Sequence, residues 1–212
     1  MRAAARWPAL LALGGLLAAC AVQPPGGEAA ATARPSLDAA LARLPGHAAG
    51  FSRGMTTDME ASQPGQGRAV DYATPAHPGI AARAAIASVI IYDQGLPPLP
   101  AGTQGTTVTA KLDEGVQEAL APAPGRSLAE SGRHVLPVAG GGPLQCAELQ
   151  GTYGRTAMWQ QICVGVAAGR FLKVFVAVPT RQKDLLGLDA DSFSREIAQA
   201  VRGVSAAPAA PS

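Results

Sequence analysis

The stretch LQCAELQGTYGRTAMWQQIC, residues 144–163, constrains the fold more than any other, because it sets a register as well as a local structure. If Gly154 and Arg155 are the central residues of a two-residue hairpin, glycine stands at the first central position, where a type II′ turn needs positive φ. Counting outward, Tyr153 closes the hairpin opposite Thr156 as a hydrogen-bonded pair. Thr152 with Ala157, Gln150 with Trp159 and Glu148 with Gln161 are then non-hydrogen-bonded pairs, and the next is Cys146 with Cys163. Such directly opposed residues have Cα atoms about 4.5 Å apart, within the span a disulfide bridges.

The spacing therefore predicts a cross-strand disulfide. A redox-active pair favours Cys-x-x-Cys at a helix start, and a zinc site needs a ligand cluster that His47, His77 and His134 do not supply at any recognisable spacing. No metal and no cofactor is expected. A bridge of this kind implies an oxidising compartment, and the amino terminus implies one independently. MRAAARWPALLALGGLLAAC, residues 1–20, places Arg2 and Arg6 before an apolar run from Trp7 to Ala19 that is too short to span a bilayer comfortably. This is the pattern of a secretory leader.

Its end, Leu17-Ala18-Ala19-Cys20, resembles the lipobox of bacterial lipoproteins. The resemblance implies a leader over 1–19 that is removed and a Cys20 that is diacylglycerol-modified and N-acylated, an anchor that exceeds the two-signal requirement for stable attachment. It also implies, through the sorting rules of Gram-negative lipoproteins, that Ala21 after the cysteine directs the chain to the outer membrane, facing the periplasm. Residues 20–36 are poor in apolar bulk and rich in Pro, Gly and Ala, which predicts a flexible tether; 204–212 reads as a tail of the same kind. Loss of Arg2 and Arg6 takes the 17 basic residues to 15, against 15 acidic ones. A neutral domain without a basic block has no electrostatic footprint for nucleic acid.

Residues 37–203 are of a length for one domain. Aromatics are only 4% of the chain, so a modest core is expected. SLDAALARLPG predicts a short helix ended by Pro45-Gly46; GFSRGMTTDME and GRAVDYAT predict two strands. AAIASVIIYD, 84–93, is apolar on both faces and should be a central strand covered on both sides. Val108, Leu112, Val116 and Leu120 mark an amphipathic helix before Pro122. Extended chain over 126–138, the hairpin, the strand 170–179 and a last helix at about 190–203 that buries Phe193, Ile197 and Val201 complete the order.

Helices among antiparallel strands predict an α+β domain with helices packed on a meandering sheet. In an exported lipoprotein this order resembles the Mog1/PsbP-like fold of the DcrB-type bacterial lipoproteins and the photosystem PsbP proteins. That resemblance implies an α/β/α sandwich and an accessory or binding role, and it carries no functional residue with it.

The search for chemistry gives little. Gly50-Phe51-Ser52-Arg53-Gly54 matches the G-x-S-x-G pattern of serine hydrolases, but it runs into a strand where that pattern needs a strand-to-helix turn. His47, His77 and His134 are equal candidates for a base. Gly140-Gly141-Gly142-Pro143 lacks the helix start and lysine of a phosphate loop, and the acidic pairs have neither calcium-loop nor acid/base spacing. Trp159 shares the disulfide's face and is open to two readings, packing beside the bridge or contact with a ligand. With Tyr153 at the turn it makes the hairpin the candidate binding surface. The expected function is a non-enzymatic, lipid-anchored binding or accessory protein that contacts an envelope protein. A small-ligand or lipid carrier with a pocket between sheet and helices is the alternative, and a hydrolase built on Ser52 the third.

Overall fold

The computed structural model describes residues 34–76 and 85–204; the leader, Cys20, the tether before Arg34, His77 and the tail from 205 lie outside them. Twelve elements follow in order: α1 (Leu37–Leu41), β1 (His47–Ala48), β2 (Phe51–Asp58), β3 (Arg68–Ala73), β4 (Ile86–Tyr92), α2 (Thr106–Leu120), β5 (Arg126–Leu136), β6 (Leu144–Tyr153), β7 (Thr156–Ala167), β8 (Arg170–Pro179), α3 (Thr180–Lys183) and α4 (Ala190–Arg202).

The strands form one antiparallel sheet of eight in the order β1-β2-β3-β4-β8-β7-β6-β5, curled into a half-barrel. Two meanders, β1–β4 and β5–β8, meet where β4 pairs with β8. The chain therefore leaves the middle of the sheet after β4 and must reach its far edge at β5, about 19 Å away at roughly 4.8 Å per strand. The fifteen residues of α2, about 22 Å long, cover that distance and pack on β5, β6 and β7.

The α/β/α sandwich of Mog1/PsbP type is not formed. Helices touch both faces but build no layer: they are 5, 15, 4 and 13 residues long, whereas β5, β6, β7 and β8 are 11, 10, 12 and 10. Long antiparallel strands twist and coil the sheet, and short helices cover only patches of so curved a surface. Element order alone does not record strand length or curl, which is why the order suggested a layered fold.

On one face, α1 and α4 bury Phe51, Tyr72 and Phe193, all 1% exposed or less, with Phe193 4.6 Å from Phe51 and 5.3 Å from Tyr72 between ring centroids. Ser36 caps α1 by accepting from the Ala39 N–H at 3.1 Å, and Asp189 caps α4 by accepting from the Ser192 N–H at 2.9 Å. On the other face, Val108, Leu112 and Val116 of α2 close a second core over Leu149, Ile162 and Phe171.

The hairpin has the register that the sequence dictates. Tyr153 pairs with Thr156, Thr152 with Ala157, Gln150 with Trp159, Glu148 with Gln161, and Cys146 with Cys163. Gly154 has φ +58° and Arg155 is not in the positive region, the pattern of a type II′ turn. Cys146 and Cys163 form a disulfide with Cα atoms 4.1 Å apart, and both are fully buried.

β4 is central but not covered equally. Ala87, Val89 and Ile91 are at most 3% exposed, whereas Ile86 on the opposite face is 52% exposed. The reason is α2, which packs over β5 to β7; among the described residues no helix covers the Ile86 face of the first half of β4.

Candidate functional site

The uncovered part of the sheet forms a trough along β4. Its floor is the row Ile86, Ser88, Ile90 and Tyr92, flanked in register by Ala73, Asp71 and Ala69 of β3 and by Ala177, Phe175, Lys173 and Phe171 of β8. Alternation of side chains puts these residues on one face, and seven residues of strand make the row about 20 Å long. At the Ile86 end lies a hollow of about 700 Å³ lined by Ser52, Met55, Ala73, Pro75, Ile86 and Phe175, with Arg53, Asp71 and Thr74 at its margin.

A second space of about 240 Å³ lies between the sheet and α2 and shares Ser88 and Phe175 with the hollow. A third, also about 240 Å³, shares Ile90, Gly115, Glu118 and Lys173 with the second and reaches Tyr92 and Lys111. The three are neighbours along the sheet, the second sharing wall residues with each of the others. The trough changes character along its length. Met55 and Ile86, 77% and 52% exposed, leave the hollow apolar, whereas the Tyr92 end carries Lys111 bonded to Glu114 at 2.6 Å and Lys173 bonded to Glu118 at 2.8 Å. Burial pushes the Tyr92 phenol far above its ordinary value, and Glu114 and Glu118 push it the same way, so it stays a neutral hydrogen-bond donor.

Gly115 sets the width where the trough passes α2. A Cβ there would stand 3.5 Å from both Ile162 Cγ2 and Lys173 Cδ, so the missing side chain leaves room along the helix. Asp93, next to Tyr92, fixes the same end to the tether side of the domain. It pairs with Arg34 at 2.9 Å and with Arg170 at 3.3 Å, while Arg170 donates to the Pro35 carbonyl at 2.7 Å.

Trp159 and Tyr153 do not share a surface. Alternation along β6 and β7 puts Trp159 on the disulfide's face, where it is 5% exposed, and Tyr153 on the α2 face, where it is 39% exposed and its hydroxyl accepts from Gln160 Nε2 at 2.8 Å. Trp159 instead walls a small polar cleft of about 210 Å³ with Glu148, Gln161, Lys183, Asp189 and Asp191. The indole N–H donates to Glu148 Oε2 at 3.2 Å, and the Lys183 ammonium lies 4.0 Å from the ring centroid. Gln161 Nε2 donates to Asp191 Oδ1 at 2.6 Å, and His134 Nε2 lies 3.0 Å from that same oxygen. Gln160 and Gln161, 1% and 2% exposed, each keep an amide oxygen without a protein partner. Two consecutive glutamines inside an otherwise apolar strand were the signal in the sequence that could have pointed here.

His47 Nδ1 lies 3.1 Å from Ser52 Oγ, its cross-strand neighbour in the β1–β2 hairpin. Of the two histidines among the described residues, His47 and His134, it is His47 that lies beside Ser52. Among the described residues no carboxylate bonds that imidazole, and Ser52 stands on a strand, not at a strand-to-helix turn. Among the described residues there is also no cluster of three or more acidic, histidine or cysteine side chains fit to hold a metal, and no helix long and apolar enough to cross a membrane. No protein-family model matches the chain, and no curated protein is significantly similar to it.

Proposed function

We propose that this chain is a lipid-anchored cell-envelope protein that binds one amphipathic small molecule, a lipid or lipid-like ligand, in the trough along β4, and does no chemistry on it. The observation that carries the reading is the succession of neighbouring hollows along β4, from an apolar one at Ile86 to a charged one at Tyr92. Ligand sites are typically 300–1,000 Å³, mostly apolar, with a few polar groups that orient the ligand. A chain of methylenes fits the Ile86, Met55 and Phe175 end, and a polar head fits the Tyr92 end. Each lysine there is already paired with a glutamate, so the charges balance and favour a neutral or zwitterionic head over a net anion.

The anchor rests on Leu17-Ala18-Ala19-Cys20, and the disulfide suits the oxidising side of the membrane that such an anchor implies. Arg34, where the proposed tether ends, pairs with Asp93 beside the polar end of the trough. Docking of an envelope protein on the hairpin, the other reading, lacks one exposed patch uniting Trp159 with Tyr153.

Purification of the full chain from detergent-solubilised membranes, followed by solvent extraction and mass spectrometry, tests the ligand. One amphiphile in stoichiometric amount, lost on Ile86→Glu, is the expected result. A ligand-free protein that also fails to bind a fluorescent fatty-acid probe would refute it. Palmitate labelling abolished by Cys20→Ala tests the anchor separately.

A further inference from the structure

The cleft beside Trp159 lies on the face opposite the trough and is independent of it. Gln161 Oε1, behind the wall of the cleft, is buried without a partner, and two further acceptors, Glu148 Oε1 and Asp191 Oδ2, have no protein donor among the described residues. The first belongs to a side chain 98% buried in the core of the sheet, where an unsatisfied amide oxygen costs about 1–3 kcal/mol. Both Asp189 oxygens are engaged by Ser192 at the start of α4, which removes that carboxylate from the count. Of the donors that line the cleft, the Trp159 indole N–H is taken by Glu148 and Gln161 Nε2 by Asp191, which leaves the Lys183 ammonium; His134, outside the lining, also meets Asp191. Among the described residues Lys183 pairs with no carboxylate; its ammonium rests on the face of the indole.

We infer that this cleft binds an organic primary ammonium group. An ammonium brings three N–H donors and no acceptor, which suits two free carboxylate oxygens beside an aromatic face, and the carboxylates offset the cost of desolvating it. Lys183 is the intramolecular stand-in: it satisfies the ring's preference for a cation but leaves the acceptors unmet. A ligand ammonium takes the ring face and the acceptors together and displaces Lys183, which sits at the end of the four-residue α3 and can turn outward. The ligand is a free alkylamine or a lysine side chain, since both present the same group.

The test uses the chain from Cys20 onward, and any preparation that keeps the leader carries Trp7→Phe, so that Trp159 is the only indole. Its fluorescence is titrated with pentylamine and with pentanol. Saturable quenching by the amine and none by the alcohol is expected. Lys183→Met removes the competing cation and should tighten amine binding about 3- to 10-fold, the size of a cation–π contact that no longer has to be broken. Glu148→Gln keeps an acceptor for the indole but removes charge and should weaken binding about tenfold. Pentanol acting as well as pentylamine, or an affinity unchanged by Lys183→Met, overturns the assignment. Tighter binding of N-acetyl-lysine amide than of pentylamine supports it with a polypeptide as the source, and the reverse order supports it with a free amine.

Discussion

Cys146 and Cys163 face each other across the β6–β7 hairpin with Cα atoms 4.1 Å apart, in a core where neither is exposed to solvent. In register they continue a row through Val174 and Val89 to Val70, so the bridge lies under α4 in the middle of the sheet. A thiol reagent reaches it only when the hairpin opens.

Replacing both cysteines by alanine should lower stability by about 3 kcal/mol, the chain-entropy value for a loop of this length. Urea unfolding under oxidising conditions reads the loss. The wild-type chain with reductant should show the same midpoint as the variant once unfolded, and membrane attachment should not change.

Asp93 holds two guanidiniums, and Arg170 is only 8% exposed. Desolvation lowers the Arg170 pKa, and the Arg34 charge beside it acts in the same direction, while Asp93 opposes both. Asp93→Asn leaves a buried cation uncompensated and should cost about 3 kcal/mol, more than Arg34→Gln, whose partner stays paired with Arg170. Thermal melting of the two variants side by side checks the order.

Gly115→Ala separates stability from binding. Alanine is favoured over glycine in a helix interior by about 0.8–1 kcal/mol, and the new methyl meets Ile162 and Lys173 at an ordinary 3.5 Å. The variant should melt at a higher temperature yet bind an amphiphile more weakly, because the methyl narrows the trough. Unchanged affinity would count against ligand passage along α2.

Gly67 has φ +71°, and a Cβ there would overlap the Ile91 carbonyl on the neighbouring strand. Gly67→Ala should therefore destabilise by on the order of 3 kcal/mol. The same substitution at Gly46, where nothing lies within 4 Å and φ is not positive, should be nearly silent. Denaturant midpoints of the pair give the comparison.

The α4 cap predicts a pH dependence. Hydrogen bonds from the Ser192 hydroxyl and from its backbone N–H hold the Asp189 carboxyl below its ordinary value. A lowered folded-state pKa stabilises the fold fully above the unfolded carboxylate value of about 3.9. The contribution is lost as pH falls through the lower folded value. Asp189→Ala should cost about 1 kcal/mol at neutral pH, and the difference between variant and wild type should shrink at strongly acidic pH. Melting curves at pH 7 and in that acidic range measure it.

Much of the local structure was written in the sequence. The Gly154 turn with its pairing from Tyr153–Thr156 to Cys146–Cys163, the helix of Val108, Leu112 and Val116, and the final helix of Phe193, Ile197 and Val201 each follow from periodicity and turn chemistry. Both patterns are set by residues only a few positions apart. Ser52 was visible as a motif, but the histidine beside it was not, because a cross-strand neighbour is defined by the β1–β2 register. Trp159 was visible as a residue on the disulfide's face. Lys183 and Asp191, which share its cleft, were not, since they come from α3 and α4.

What the sequence by itself determined, then, is where strands and helices lie and which cysteines meet, because alternation, capping and hairpin counting act over short distances. Only the tertiary structure decided that the sheet curls instead of forming the middle layer of a sandwich, and that α2 crosses to the far edge and does not cover the first half of β4. It alone brought Lys183 onto Trp159. Curl accumulates over eight twisted strands, and coverage depends on helix length measured against sheet width. Neither quantity is a property of any one stretch of residues.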